Sequence, residues 1–216
     1  MSVYFVDTET NGQDPPEVIE LAYSHWDTPQ HILTERYLPR GPITWGALAT
    51  HHIFWRELEG CPPSSEARLP GDAEYIIGHN VDYDWKALGC PNIKRICTLA
   101  LFRRAQPLVD SHQLVAAYYY YLGPNPTSRE VAKNAHGASA DVLMLAEIFQ
   151  RMVGALDAPI EAIWQLSEEA RIPEVIAFGK HKGTPIRDLP WDYKKWMLRQ
   201  DDMDPYVLEA VRRTMK

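Results

Sequence analysis

The 216-residue sequence predicts an α/β domain of about 155 residues followed by a small C-terminal unit. Three observations support that class. Strand patterns come first in the chain, strand and helix patterns alternate through its middle, and helical patterns close the first part. The composition is that of an ordinary soluble domain, with 45% hydrophobic and 24% charged residues, which excludes disordered and fibrous classes.

Residues 2–9 read as a strand, with Val3, Phe5, Asp7 and Glu9 on one face and Tyr4, Val6 and Thr8 on the other. Both faces begin apolar, as in a central strand. Asn11-Gly12-Gln13-Asp14-Pro15-Pro16 breaks it, and residues 18–23 and 32–38 read as two further strands of a hairpin or meander. Residues 44–59 look helical, 75–78 form a short buried strand, and 83–88 form a helix that stops at Gly89. Residues 95–98 are another strand. Helices follow over 111–122 and from Arg129 after Ser128 as N-cap, and the run from Tyr118 to Tyr121 reads as packing. A helix over 140–152 comes next, then one over 157–170 with Asp157 as N-cap and Pro159 in its first turn. Residues 156–173 are thus expected to connect the domain to an α+β appendage over 174–216. That appendage holds a strand at 175–178, a tight turn at 179–183 and short helices at 191–199 and 205–214.

The formal charge is −7, from 22 basic and 29 acidic residues, the wrong sign for holding nucleic acid by bulk electrostatics. It is unevenly spread. Residues 174–216 carry 9 Lys/Arg against 7 Asp/Glu, and residues 1–173 carry 13 against 22. No apolar stretch reaches the roughly 20 residues a bilayer requires, and the N-terminus shows no basic flank or cleavage site, so no membrane partner is expected. Cys61, Cys90 and Cys97 are odd in number and form no C-x-x-C pair, which fits a reducing cytoplasm.

Carboxylates stand where apolar residues belong. Asp7 and Glu9 leave the same sheet face two positions apart, and burying them costs several kcal/mol each unless a cation or proton compensates. A strand ending at Val6 with both groups solvated is the alternative. Asp141 begins the helical stripe of Leu145, Ile148, Phe149 and Met152, either as a functional group or as a favourable charge at a helix N-terminus. His136, five residues earlier, can reach the same space or serve structure alone. In Gly78-His79-Asn80-Val81-Asp82-Tyr83-Asp84 a buried strand turns into a helix, whose stripe includes Asp84, while Asp82 fits an N-cap.

Together these segments resemble the DEDD exonuclease family, in the subgroup whose third motif carries His. Its D-x-E motif is matched by Asp7-Thr8-Glu9, its H-N-x-x-F-D motif by residues 79–84 with Tyr83 in place of Phe, and its H-x-A-x-x-D motif by residues 136–141. The resemblance implies a ribonuclease H-like mixed sheet flanked by helices. It also implies 3′-5′ exonuclease activity that releases 5′-mononucleotides, with DNA repair or end processing as its setting. Residues 47–53 resemble the segment beside the 3′-terminal nucleotide, with His51 and Ile53 at matching positions and Thr50 where the family has Ile. Residues 96–100 and the tail Phe178-Gly179-Lys180-His181-Lys182-Gly183 with Trp196 resemble the exodeoxyribonuclease X branch, which favours DNA over RNA.

Asp7, Glu9, Asp84 and Asp141 are hard oxygen donors suited to two Mg²⁺ ions, with Mn²⁺ as substitute. The family pattern assigns Asp7 as the bridging ligand, Glu9 and Asp141 to the ion that carries the nucleophile, and Asp84 to the second ion. His136 is the candidate general base, because an imidazole can take a proton from water near neutral pH. Thr10, Asn11, Gly12 and Gln13 follow the acidic strand and can offer backbone N–H groups to the terminal base, with Trp45 and His51 as stacking candidates. Asn80 completes the expected substrate contacts in the domain. Lys180 and Lys182 are expected to grip the phosphate backbone, with a solvated basic turn on a stabilising cap as the alternative. The expected partners are DNA 3′ ends, single-stranded first, with duplex ends, RNA and the oligomeric state left open. An RNA 3′-exonuclease and a nucleic-acid-binding module without turnover are the competing readings.

Overall fold

Strand β1 (Ser2–Thr10) begins apolar on both faces, from Val3 to Val6, and a strand of that kind belongs in the middle of a covered sheet. The structure, a computed structural model that describes residues 1–133, 135–154 and 156–215, places it there. β2 (Val18–His25) runs antiparallel beside it and β3 (Leu33–Arg36) antiparallel beside β2, the expected meander. On the other side β4 (Ala73–Gly78) and β5 (Lys94–Cys97) add in parallel. Among the described residues the sheet order is β3-β2-β1-β4-β5, so it is mixed, with its parallel half at the middle and one edge.

The helices, in chain order, are α1 (Trp45–His51), α2 (Asp82–Ala87), α3 (Thr98–Ala105), α4 (Leu114–Leu122), α5 (Pro126–Ala132), α6 (Ala138–Val153), α7 (Ile160–Arg171), α8 (Trp191–Met197) and α9 (Pro205–Arg213). Helix α6 covers one sheet face. Its Ala138, Val142, Leu145, Ala146, Phe149 and Val153 pack on Val3 and Phe5 of β1 and on Ala22, Tyr75, Ile77 and Ile96 of the neighbouring strands. Phe5 and Phe149 meet edge to face at 5.9 Å, and Trp26 stacks on Phe5 at 5.8 Å. None of the described helices is long and apolar enough to cross a membrane.

Several local expectations are corrected. The helix over 44–59 stops at His51, where His52 takes a left-handed φ of 57° and its N–H caps Leu48, and only a single 3₁₀ turn follows at Trp55–Glu57. Helix α3 was not foreseen, because Thr98 read as the end of a strand. Thr98 instead opens a helix whose buried side carries Ala100 and Phe102 and whose last turn carries Arg103 and Arg104. Helix α5 starts three residues earlier than expected. Asn125, not Ser128, is its N-cap, and the two residues exchange side-chain and backbone hydrogen bonds in a capping box. Asp157 does not cap α7. It lies three positions ahead of Ile160 with a φ of 40°, and the Pro159 carbonyl accepts the N–H groups of Ala162 and Ile163. Residue 155, the expected domain boundary, lies outside the described residues.

The chain divides into two compact units, Met1–Ser167 and Glu168–Lys216. In the second, the strand expected over 175–178 is reduced to one antiparallel bridge between Val175 and Pro185. Helices α8 and α9 close over Ile176, Ile186, Leu189, Met197, Ala210 and Val211, a core of its own. Lys194 is buried on that side of α8, and its Nζ donates to the Arg187 carbonyl at 2.8 Å.

Phe149 is fully buried where the β1 face meets α6. Phe149→Ala should lower unfolding free energy by about 3–5 kcal/mol. A urea titration with an unchanged midpoint would remove this contact from the account of stability.

Candidate active site

The face of β1 that carries Val3 and Phe5 continues outward with Asp7 and Glu9, and Asp141 stands in the first turn of α6, between the packed Ala138 and Val142. Strand period and helix period therefore deliver three carboxylates to one place. Their nearest oxygens all lie within 4.8 Å of one another. Asp84 arrives from α2 and is buried, with its Oδ1 accepting from the Thr8 N–H at 2.9 Å and from the Thr8 hydroxyl at 2.7 Å. This contact exists because β1 outruns β4. Their pairing ends at Phe5 with Ile77, and the Thr8 N–H is taken up by a side chain.

A fifth acid stands close by. Glu20 is paired opposite Glu9 in the β1–β2 register, is buried, and is held by Arg36 Nε at 2.8 Å and by the Ala138 N–H at 3.3 Å. It ties the start of α6 to β2. The rule that singled out Asp7 and Glu9, a carboxylate inside an apolar strand, applies equally to Glu20 between Ile19 and Leu21. It was missed because no motif pointed to it.

Like charges at this spacing cannot all stay ionised without compensation. Burial pushes the Glu9 carboxyl up to about 8, assisted by the charges of Asp141, Glu20 and Asp84. Asp7 is raised well above the usual carboxylate range, first by burial and then by Asp84 and Asp141. Burial also raises Asp84 against the opposing hydrogen bonds from Thr8, and raises Asp141 against the His136 N–H. Without a cation, protons take the place of positive charge. The donor set is all carboxylate oxygen and fits a hard divalent ion.

Asp7 and Asp141 lie in an open cleft of about 1120 Å³, whose lining includes His136, Arg103, Lys133 and His52. His136 is exposed, has a left-handed φ of 69°, and donates its backbone N–H to Asp141 Oδ1 at 3.3 Å. Its ring is thus carried beside the carboxylates by a loop pinned to one of them. Arg103 belongs to the unforeseen α3, and Lys133 follows α5; both are exposed cations along a cleft whose floor is acidic. His79 is structural. Its ring nitrogens meet the Thr98 hydroxyl at 2.9 Å and the His112 carbonyl at 2.8 Å, and burial lowers its pKa to about 4.

The remaining expected residues divide. Asn11 is the hub of the loop after β1: its Oδ1 accepts from the N–H groups of Gln13 and Glu17, and its carbonyl accepts from Thr44 at the start of α1. Gly12 has a φ of 73°, and a Cβ there would lie 2.3 Å from the Thr44 hydroxyl, so no side chain fits. Thr10 is buried with its hydroxyl 2.6 Å from that of Tyr83, a contact that Phe at this position would lack. Gln13 is exposed and donates to the Pro42 carbonyl. His51 and Ile53 are buried, and the ring presented to the cleft from this segment is His52. Burial lowers the His51 pKa, and its Nε2 has no hydrogen-bond partner among the described residues. Trp45, 86% exposed, lines a separate apolar depression with Phe54 and Trp55. Asn80 is exposed with a φ of 74°. Asp82 does not cap α2; it pairs with Arg95 at 2.5 Å. Lys180 and Lys182 belong to the second unit.

No family model matches this sequence, and no curated protein matches it. Solved structures do. Exonuclease X in complex with 5′-overhanging duplex DNA aligns with a TM-score of 0.61 at 21% identity, over 76% of this chain and 99% of that one. This chain shares that nuclease fold. The similarity extends to E. coli Exonuclease I in complex with a dT13 oligonucleotide, at a TM-score of 0.53 and 17% identity, over 70% of this chain and 40% of that one. Cell-death related nuclease 4 aligns at 0.50 and 16% identity, over 71% and 64%. The ribonuclease H-like mixed sheet implied by the motifs is the fold observed.

Carboxyl groups whose folded-state pKa is raised contribute stability that is complete below about pH 4 and is lost as pH climbs toward about 8. The metal-free chain should therefore lose stability over that window, and added Mn²⁺ should raise the melting temperature more at pH 8 than at pH 6. Equal increments at both pH values would refute proton-for-cation exchange at this cluster.

Proposed function

We propose that this chain is a metal-dependent 3′-5′ exodeoxyribonuclease releasing 5′-mononucleotides from DNA. The observation that carries the reading is the convergence of Asp7, Glu9 and Asp141 within 4.8 Å, with Asp7 and Asp141 opening on a cleft that His136 also lines. The nuclease fold agrees with it, as do DNA ligands in two of the similar structures.

Asp7, Glu9 and Asp141 would hold a divalent ion directly, with Asp84 serving a second through the carboxylate that Thr8 orients. When bound, Mg²⁺ or Mn²⁺ would neutralise charge on the scissile phosphate and its leaving oxygen. His136 takes the proton from the attacking water, and its exposed loop gives the ring room to reach it. Arg103 and Lys133 hold phosphates of the strand as it leaves the acidic floor. Gly12 and Asn11 keep the loop after β1 close to α1, shaping one wall for the terminal nucleotide.

The test is digestion of 5′-labelled single-stranded DNA, recessed duplex DNA and RNA with Mg²⁺. The expected product is a ladder that shortens from the 3′ end of DNA, abolished by chelator and restored by Mg²⁺ or Mn²⁺. Faster loss of RNA than DNA would overturn the sugar assignment, and internal cleavage would overturn the exonuclease assignment. Asp7→Asn and Asp141→Asn should each lower kcat by more than about 100-fold, beyond the range for residues that only orient a ligand. Asp82→Ala should leave kcat close to wild type, since that carboxylate answers to Arg95; an inactive Asp82→Ala would show that the second motif has been read in the wrong register.

His136→Ala should lower kcat with a smaller change in KM, and the acidic limb of the rate profile should shift or disappear. A variant with the wild-type rate and profile would make His136 a structural residue.

A further inference from the structure

The second unit carries a surface that its own packing does not explain. Its core is complete without Phe178, Trp191 and Trp196, which remain exposed, the two tryptophans at 52% and 47%. Cations are interleaved with these rings. Lys195 Nζ lies 5.6 Å from the Trp191 ring centre, and Lys180 Nζ lies 5.4 Å from that of Tyr193. Tyr193 in turn stacks on Trp196 at 5.2 Å with an interplanar angle of 25°, and His181 meets Tyr193 at 4.4 Å. The 3₁₀ turn Gly179–His181 that supplies Lys180 is set by Gly179 at a φ of 62° and is followed by Gly183 at 86°. The buried Lys194, donating to the Arg187 carbonyl, fixes α8 to the turn that carries Arg187.

We propose that this aromatic and basic surface binds single-stranded nucleic acid without sequence preference, bases stacking on Trp191 and Trp196 while Lys180, Lys182, Arg187 and Lys195 meet the phosphates. Exposed π-faces suit every base, and the cations lying against the Trp191 and Tyr193 rings put positive charge within reach of the phosphates that flank a stacked base. Asp188 lies 3.7 Å from Arg187, and Asp192 stands in the first turn of α8 next to Trp191, so the local charge is mixed. Stacking therefore contributes more to binding here than charge does. The proposal deepens the expected phosphate grip of Lys180 and Lys182, and it rests on the nuclease reading for its choice of ligand.

Binding of the full-length protein to a fluorescein-labelled 20-nucleotide oligothymidylate, followed by anisotropy in EDTA, tests it without turnover. Trp191→Ala/Trp196→Ala should raise Kd by about tenfold or more, and Trp191→Phe/Trp196→Phe should recover most of the loss. Lys180→Ala/Lys182→Ala should make the salt slope shallower by about one to two units. Unchanged affinity in the tryptophan-to-alanine variant overturns the proposal. So does polyglutamate that displaces the oligonucleotide as readily as unlabelled oligothymidylate, because the surface would then bind an acidic protein equally well. Hydrolysis with Mg²⁺ is read separately. Tryptophan-dependent binding without any hydrolysis removes the exonuclease reading and keeps this one; hydrolysis with binding indifferent to the tryptophans does the reverse.

Discussion

Mutual repulsion of the carboxylates at the end of β1 is the constraint around which the first unit is organised. Asp7, Glu9 and Asp141 share a space of 4.8 Å, with Asp84 and Glu20 close enough to raise the proton affinity of their neighbours. Such a cluster persists only where rigid elements over-determine it. Here the elements are the central strand and the helix that covers it. The apolar part of their interface, from Val3 and Phe5 to Phe149 and Val153, supplies the burial that holds its acidic end together.

The surrounding polar contacts orient these groups. Thr8 engages one oxygen of Asp84 with two hydrogen bonds, Arg36 and the Ala138 N–H hold Glu20, and the His136 N–H engages Asp141. Asp84, Glu20 and Asp141 are thus restrained from relieving the repulsion by rotation, and the remaining relief is a proton or a cation.

Much of this was legible in the sequence where period and chemistry disagreed. Asp7 and Glu9 were visible because strand alternation put them on the face of Val3 and Phe5, and Asp141 because it opened a helical stripe. What escaped was of two kinds. Short helices with weak patterns were misread: α3 begins at a Thr that suits a strand, and the segment after His51 loses its helix to a left-handed His52. With α3 went Arg103. Groups defined by tertiary partners escaped as well. Asp82 fits an N-cap by spacing but pairs with Arg95, and His79 sits in a motif yet spends both ring nitrogens on Thr98 and His112. His51 matched a substrate-facing position, while the backbone turn at His52 sends the next ring into the cleft instead.

A chain with a formal charge of −7 can approach a polyanion because its negative charge is not spread evenly as a field. Several acids of the first unit are matched locally: Glu17 by Arg40, Glu20 by Arg36, Asp82 by Arg95 and Glu161 by Lys94. The acids that converge at the end of β1 are those whose proton affinity is raised by burial and by one another, which limits the negative charge they carry without a cation. Exposed Arg103 and Lys133 line the same cleft as Asp7 and Asp141. Net charge is a poor guide for such a site, because the sign that a phosphate meets is set within a few ångströms by what the carboxylates hold.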